Sequence, residues 1–181
     1  MKEESRVLQS AIEWIRTIAI AILIAVLFKL FIGDTTRVKG NSMNDTLHND
    51  DVLFVDKISM NISGLKRGDI VILDAPDEEN TKYIKRVVGM PGDVVSIEDG
   101  KVCVNGEYYE ENYTNTDTTN PITDESYWQL KDGEYFVMGD NRLVGQSNDS
   151  RAFGPITEES IVGHAVFRIY PFNSFGKIEE E

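Results

Sequence analysis

Two side chains in this sequence could perform nucleophilic catalysis together, a serine in a glycine-flanked tract and a lysine in a β-branched run. The serine is Ser42 in the tract Gly40-Asn41-Ser42-Met43, and the lysine is Lys85 in residues 83–89. A serine hydroxyl is a weak nucleophile unless a base takes its proton. A lysine can be that base only when burial away from water lowers its pKa. The pair therefore predicts a Ser–Lys dyad if the fold brings both residues together.

The pattern around Lys85 predicts a β-strand, on which successive side chains point to opposite faces. Lys85 shares one face with Tyr83 and Val87, whereas Arg86 shares the other face with Ile84. If the Tyr83 face is the inner one, Lys85 lies in apolar surroundings and Arg86 does not. Each residue alone also has an ordinary interpretation, because serines in such loops are commonly turn residues and strand lysines are commonly solvated.

An apolar segment near the N-terminus predicts a membrane helix. Residues 18–28 are uninterruptedly apolar, and Trp14 on one side is suited to the membrane interface. Leu30-Phe31-Ile32 after Lys29 and Trp14-Ile15 before the run extend it, and the whole span is near the short end of the roughly 17–25 residues that a membrane helix needs. A cleavable signal peptide is the competing interpretation, but no Ala-x-Ala cleavage site follows the apolar run. The expected divisions are a short cytoplasmic N-terminus at 1–13, a transmembrane anchor at 14–32 and an extracytoplasmic β-rich domain at 33–181.

The rest of the chain is predicted to be rich in β-structure. Short runs of β-branched and aromatic residues are separated by turn formers such as Asp99-Gly100 and Asn105-Gly106, which favour the positive φ angles of tight hairpins. The expected fold class is mostly β, an antiparallel β-barrel or sandwich catalytic domain preceded by one N-terminal transmembrane helix. Residues 108–126 are dense in Asn, Thr, Asp and Glu, and are predicted to be an exposed excursion without assigned chemistry.

Composition argues against several other classes of protein. The formal net charge of −13 and the pI of about 4.6 argue against nucleic-acid binding, which needs a basic surface. The single cysteine, Cys103, rules out a disulfide within the chain. The two histidines, His48 and His164, stand far apart without ligands at metal-binding spacing, so neither a metal nor another cofactor is expected.

Several tracts, in this order after one anchor, resemble a known family. The sequence resembles the bacterial type I signal peptidases (leader peptidases), the membrane-anchored Ser–Lys serine proteases that release secreted proteins from their signal peptides. Residues 40–47 are similar to the nucleophile box of that family, and residues 83–93 match its lysine box. Residues 138–142 and 147–151 are similar to the two halves of its last box.

The resemblance implies a role for each matching residue. Ser42 is the expected nucleophile and Lys85 the expected general base, with the main-chain N–H of Ser42 as oxyanion donor. Ser147 is expected to hydrogen-bond the amine of Lys85. The other expected site residues are a supporting ion-pair set and two substrate contacts: Arg86, Asp140, Asp149 and Arg151, then Met43 and Tyr83.

The resemblance also implies partners and a location. The expected substrates are signal peptides of secreted pre-proteins, cleaved after small residues in an Ala-x-Ala pattern. The expected surroundings are the lipid bilayer of the bacterial cell membrane, crossed once, with the catalytic domain extracytoplasmic and the secretion translocon nearby.

Two departures from the family pattern leave questions open. Asp45 stands where the family usually has proline, and it adds a negative charge near the nucleophile. Two extra residues precede Ser147, so Ser150 is the alternative for its position.

Three other protein classes are compatible with part of this sequence pattern. Self-cleaving repressors use a similar Ser–Lys pair, but they are soluble and lack the last box. Eukaryotic-type signal peptidases use histidine in place of Lys85. A catalytically inactive homologue, acting as a chaperone in surface-protein or pilus assembly, is the alternative from a different functional class.

Overall fold

The computed structural model of the chain describes residues 2–178. Met1 and residues 179–181, which the sequence analysis placed at the ends of the first and last divisions, lie outside the described residues. The chain begins with helix α1, Lys2–Phe31. Its segment Ile12–Phe31 has 20 residues, a mean hydropathy of 2.2 and no part buried against the rest of the protein. This helix extends through the predicted anchor and runs directly into the first strand.

The remaining elements of the described chain are short strands, two short α-helices and two 3₁₀ turns. The strands are β1 (Gly33–Arg37), β2 (Val52–Asp56), β3 (Ile70–Asp74), β4 (Lys82–Gly89), β5 (Val94–Glu98), β6 (Lys101–Val104), β7 (Glu107–Tyr108), β8 (Tyr127–Gln129), β9 (Glu134–Met138), β10 (Ile156–Thr157), β11 (Ile161–Tyr170) and β12 (Gly176–Lys177). The helices are α2 (Ser59–Ser63) and α3 (Ser150–Phe153), and the 3₁₀ turns are Glu158–Ser160 and Phe172–Ser174.

Within the described residues the strands form two sheets, and their ladders are antiparallel. The larger sheet has the order β1-β2-β11-β3-β4-β9-β10, with β12 added beside β11. The smaller sheet has the order β7-β6-β5-β8. The predicted class, mostly antiparallel β behind one N-terminal apolar helix, is confirmed. The larger sheet does not close into a barrel, so the sandwich is the correct alternative.

Apolar side chains from both sheets form the core. Trp128 of β8 and Phe136 of β9 are buried in one cluster with their ring centroids 4.6 Å apart, and burial of one such ring stabilises a fold by roughly 1.5–3 kcal/mol. The hairpin turns also form as predicted, because Asp99 and Asn105 have φ angles of 49° and 56°. These packed strands give the site a rigid scaffold.

Strand β4 occupies the position in the larger sheet that matters for the site. Its neighbours are β3, where Val71 pairs with Lys85, and β9, where Met138 pairs with Arg86. Because β9 ends at Met138, its next residue, Gly139, follows beside Lys85. The first half of β4 therefore has a strand partner only on its β3 side among the described ladders.

Candidate active site

Ser42 and Lys85 lie within hydrogen-bonding distance of each other. Ser42 is half-buried in the loop between β1 and β2, which is tightened by a hydrogen bond of 2.8 Å from the Leu47 N–H to the Met43 carbonyl oxygen. The Lys85 Nζ donates to the Ser42 Oγ at 2.9 Å. Only 3% of Lys85 is exposed. The structure thus brings together the two residues that the sequence predicts as a dyad.

Burial changes the acidity of the Lys85 ammonium. The loss of water contact is the main cause that lowers the pKa of Lys85 from 10.5 to about 8, while the carboxylates of Asp149 and Asp140 act in the opposite direction. With such a pKa, about one tenth of the molecules carry a neutral amine at pH 7. A neutral amine 2.9 Å from a hydroxyl can accept its proton.

Arg86 is buried as well, although the strand pattern places it on the face of β4 opposite to Lys85. Its side chain is 1% exposed, against 3% for Lys85. The reason is a carboxylate: Asp140 accepts from Nε at 3.0 Å and from Nη2 at 2.7 Å. The third nitrogen, Nη1, donates to the Gly68 carbonyl oxygen at 2.8 Å. Two-pronged pairing of this kind lets a guanidinium be buried without losing its hydrogen bonds.

Asp149 is a second buried carboxylate with several donors around it. Arg151 reaches it through Nε and Nη2, each at 2.8 Å. The Gly139 N–H donates at 3.0 Å and the Ser147 hydroxyl at 2.7 Å. Burial alone would raise the pKa of Asp149, but Arg151 and the other donors hold it below its usual value. The four residues expected as a supporting set therefore form two bidentate ion pairs.

The predicted hydrogen bond between Ser147 and Lys85 is not found among the described residues. The Ser147 hydroxyl donates to Asp149, and a hydrogen bond to a charged carboxylate is a strong one. The buried Ser147 still borders the dyad, since a Cβ added at Gly139 would meet both its hydroxyl and the Ser42 carbonyl oxygen. The alternative, Ser150, lies elsewhere: its hydroxyl accepts from the Val137 N–H at 2.9 Å.

The departures from the family pattern lie at the surface. Leu143 and Val144, in the longer connection before Ser147, are 53% and 84% exposed. Asp45 is exposed as well. The longer connection therefore bulges outward, and Ser147 is still buried beside Gly139.

A groove of about 470 Å³ opens in front of the dyad. One wall comes from residues 36–39 at the end of β1 and the other from residues 80–85 leading into β4. Tyr83 lines it, and the Lys85 Nζ lies 5.2 Å from the centroid of the Tyr83 ring. Met43 lines it too but is 1% exposed, so this side chain belongs mainly to the core beneath. Along this groove the first half of β4 has the open strand edge that an extended peptide needs.

Comparison with known proteins gives the family. The sequence model for "Signal peptidase, peptidase S26" matches residues 11–170. The chain belongs to this signal peptidase family. It is therefore a hydrolase, and specifically an endopeptidase of the serine class.

Individual relatives agree with the family. The chain is 38% identical to signal peptidase I of Bacillus licheniformis over 178 residues, covering 94% of each chain. It is 37% identical to signal peptidase IB of Staphylococcus aureus over 179 residues, covering 91% of this chain and 92% of the relative. A crystal structure of a signal peptidase I from Enterococcus faecalis V583 aligns with a TM-score of 0.47 and 29% identity, covering 55% of this chain and 95% of that one.

The sequence did not predict the contacts that connect the 108–126 segment to the candidate active site. The predicted exposed excursion contains Glu111, which pairs with the buried guanidinium of Arg142. It also contains Tyr113, whose ring centroid lies 4.0 Å from the Arg86 guanidinium carbon. Burial, with Glu111 beside it, raises the pKa of Tyr113, so the phenol keeps its proton. A polar composition alone could not distinguish these contacts from solvation.

Proposed function

We propose that the chain is a membrane-anchored signal peptidase that works through a Ser42–Lys85 dyad. The observation that carries the proposal is the 2.9 Å contact between a half-buried hydroxyl and an amine with a pKa of about 8. A lysine that is 3% exposed and bonded to a serine at the wall of a groove has the properties a general base needs. Family membership supplies the reaction class.

The steps follow from this geometry. Lys85 takes the proton of Ser42 as the oxygen attacks the carbonyl carbon at the cleavage site. The negative oxygen of the tetrahedral intermediate accepts from the main-chain N–H of Ser42. Lys85 then gives its proton to the leaving amine, which leaves an acyl-enzyme on Ser42. Lys85 next activates the water that hydrolyses this ester.

The substrate in this proposal is the signal peptide of a secreted pre-protein, cleaved after an Ala-x-Ala pattern. An extended peptide in the groove would lie along the strand edge of residues 82–85, which the described ladders leave open. Ile84, which is half-buried, gives the groove an apolar wall beside the dyad, and an apolar wall suits small apolar side chains.

The anchor and topology are part of the same proposal. Helix α1 is predominantly apolar over Ile12–Phe31, and none of that span is buried inside the protein, which is the property of a helix whose solvent is lipid. We place residues 1–13 in the cytoplasm, 14–32 in the membrane and 33–181 outside, with the translocon nearby. The Lys57 Nζ donates to the Lys29 carbonyl oxygen at 3.1 Å, and this contact ties the end of the helix to the catalytic body.

The test is cleavage of a purified pre-protein by the full chain in detergent. The parent should release the signal peptide at an Ala-x-Ala site, and Ser42→Ala or Lys85→Ala should abolish release. Ser63→Ala and Lys131→Ala, at exposed positions outside the groove, are the matched controls and should leave the rate unchanged. Cleavage by either dyad variant at the parent rate would reject the dyad, and an inactive parent would favour the chaperone interpretation.

A further inference from the structure

Asn141 hydrogen-bonds the main-chain carbonyl groups of two successive residues, Asn41 and Ser42. The main-chain N–H of Asn141 donates to the Ser42 carbonyl oxygen at 3.0 Å. The side-chain Nδ2 of Asn141 donates to the Asn41 carbonyl oxygen at 2.9 Å. Asn141 is 4% exposed, so water does not compete for these bonds. Two successive peptide planes are therefore fixed by the same residue.

The bond to the Asn41 carbonyl has a consequence on the other side of its peptide. That carbonyl and the Ser42 N–H belong to one planar trans unit, in which C=O and N–H point in opposite directions. Fixing the direction of the Asn41 carbonyl therefore also fixes the direction of the Ser42 N–H. A hydrogen bond accepted by the carbonyl also polarises the peptide and strengthens its N–H as a donor.

The side chain of Asn141 is in turn held by Asn115, which lies in the 108–126 segment. The Nδ2 of Asn115 donates to the Oδ1 of Asn141 at 2.7 Å. The Oδ1 of Asn115 accepts from the main-chain N–H of Arg142 at 2.9 Å. Both ends of the Asn115 amide are used. Because Asn141 Oδ1 accepts this bond, the other half of its amide, Nδ2, is presented to Asn41.

The segment that carries Asn115 is itself fixed to the core of the site. The guanidinium of Arg142, 1% exposed, donates to both carboxylate oxygens of Glu111. The same guanidinium donates to the Thr119 hydroxyl at 2.7 Å and to the Gly139 carbonyl oxygen at 2.8 Å. Contacts before and after Asn115 in sequence therefore hold it in place against Asn141.

We propose that Asn115 is a positioning residue for the oxyanion donor: it holds Asn141, and Asn141 aims the N–H of Ser42 at the developing negative charge. The inference rests on the proposed Ser42–Lys85 mechanism. It gives the 108–126 segment a part in the reaction, although Asn115 does not touch the dyad.

The first test is Asn115→Ala in the full chain, assayed with the pre-protein in detergent. The kcat should fall about tenfold, because the donor is still present but less well aimed, and removing such a donor altogether costs about 10²–10³. The KM should stay unchanged, because the interaction strengthens only as negative charge develops in the transition state. The midpoint of the pH profile should not move, because Lys85 is untouched. Asn120→Ala, an exposed asparagine in the same segment, is the matched control.

A second variant separates positioning from folding. Asn115→Asp keeps the acceptor for the Arg142 N–H but places an oxygen against the Oδ1 of Asn141, so it should lower kcat at least as much. Thermal unfolding in the same detergent checks that the variants are folded. In a double-mutant cycle, Asn115→Ala combined with Asn141→Ala should be no slower than Asn141→Ala alone, because the two residues act in series.

Three results would overturn the inference. A kcat for both Asn115 variants equal to that of the parent is the first, and a loss confined to KM is the second. The third is full multiplication of the two losses in the double variant, which would mean independent effects. If the parent cleaves and Ser42→Ala does not, these results reject the inference alone. If the parent does not cleave at all, the proposed function fails and this inference fails with it.

Discussion

Lys85 and Arg86 are neighbours on one strand and equally buried, yet the structure treats their charges in opposite ways. Arg86 is surrounded by acceptors, with Asp140 on two of its nitrogens and a main-chain carbonyl on the third. Lys85 has the Ser42 hydroxyl as its one hydrogen-bond acceptor among the described side chains. A protonated amine has three donors to satisfy. The comparison shows two outcomes of equal burial: a guanidinium, which stays charged, is given an acceptor on each nitrogen, whereas an ammonium, which can release its proton, is given one acceptor.

The two positions accordingly serve different purposes. The ion pair of Arg86 with Asp140 connects β4 to the residues that follow β9. It also connects β4 to the loop between β1 and β2, because Thr46 in that loop donates to the Asp140 carboxylate at 2.5 Å. A buried ammonium without a paired carboxylate is destabilised, so it loses its proton more readily. The neutral amine can then act as a general base. Substitutions at or beside Lys85 and Arg86 should change this difference in pairing and charge.

Lys85→Arg should remove the difference altogether and give the largest effect. A guanidinium stays charged in proteins and cannot take the serine proton. We expect the rate of signal-peptide cleavage to fall at least 10³-fold in kcat while the chain stays folded. Cleavage at more than a few per cent of the parent rate would mean that Lys85 is not the base. Lys131→Arg, at an exposed position outside the groove, is the control.

Asp140→Asn should turn the position of Arg86 into one that resembles that of Lys85. The guanidinium would remain buried without its anion, and such a loss costs about 3–5 kcal/mol in the free energy of unfolding. Chemical denaturation of the full chain in detergent would measure it. The matched control is Asp74→Asn, which breaks the exposed pair with Lys82 and should cost less than about 1 kcal/mol. Equal losses at the two sites would contradict the comparison.

Lys85→Met should stabilise the protein while removing its activity. At pH 7 the native state must hold a buried cation or release a proton that the unfolded chain keeps, at a penalty on the order of 3 kcal/mol for a pKa lowered from 10.5 to about 8. The penalty is full below about pH 8. It shrinks as the pH rises from 8 to 10.5, where the unfolded lysine also loses its proton. Unfolding measurements at pH 7 and pH 10.5 should therefore show the gain only at the lower pH.

The pH dependence of cleavage should give the smallest but most direct effect. Because the neutral amine is the active form, kcat/KM should rise with pH and level off above a midpoint near 8. Each pH unit below that midpoint should lower it about tenfold. A profile that is flat between pH 6 and pH 9 would be incompatible with Lys85 as the base.

The sequence predicted the parts of the fold and site that depend on local pattern. Alternation and turn residues gave the β-class, and the Asp99 and Asn105 turns have the positive φ angles expected. The tracts around Ser42 and Lys85 predict a pair, and the two side chains lie 2.9 Å apart. Their separation of 43 residues is bridged by a sheet in which β3 and β11 lie between β2 and β4. That order is not written in any local pattern.

The parts that escaped prediction depend on contacts between distant polar residues. Asn115 and Glu111 look in sequence like residues of a solvated loop, because an amide or carboxylate has the same composition whether it bonds water or a buried arginine. The strand pattern places Arg86 on the face opposite to Lys85, but it cannot indicate that pairing with Asp140 allows Arg86 to be buried as fully as Lys85. The Ser147 hydroxyl was expected at Lys85 and instead donates to Asp149. Which acceptor a donor uses depends on how the fold brings together residues that are distant in sequence.

Gly139 offers a way to recognise non-functional copies of this enzyme. There is no room for a Cβ at this residue, because it would collide with the Ser147 hydroxyl and with the Ser42 carbonyl oxygen. A single added methyl would displace the nucleophile even if Ser42, Lys85 and every ion pair were intact. A homologous gene that encodes any larger residue here should therefore be counted among the pseudoenzymes, although its dyad would suggest the opposite.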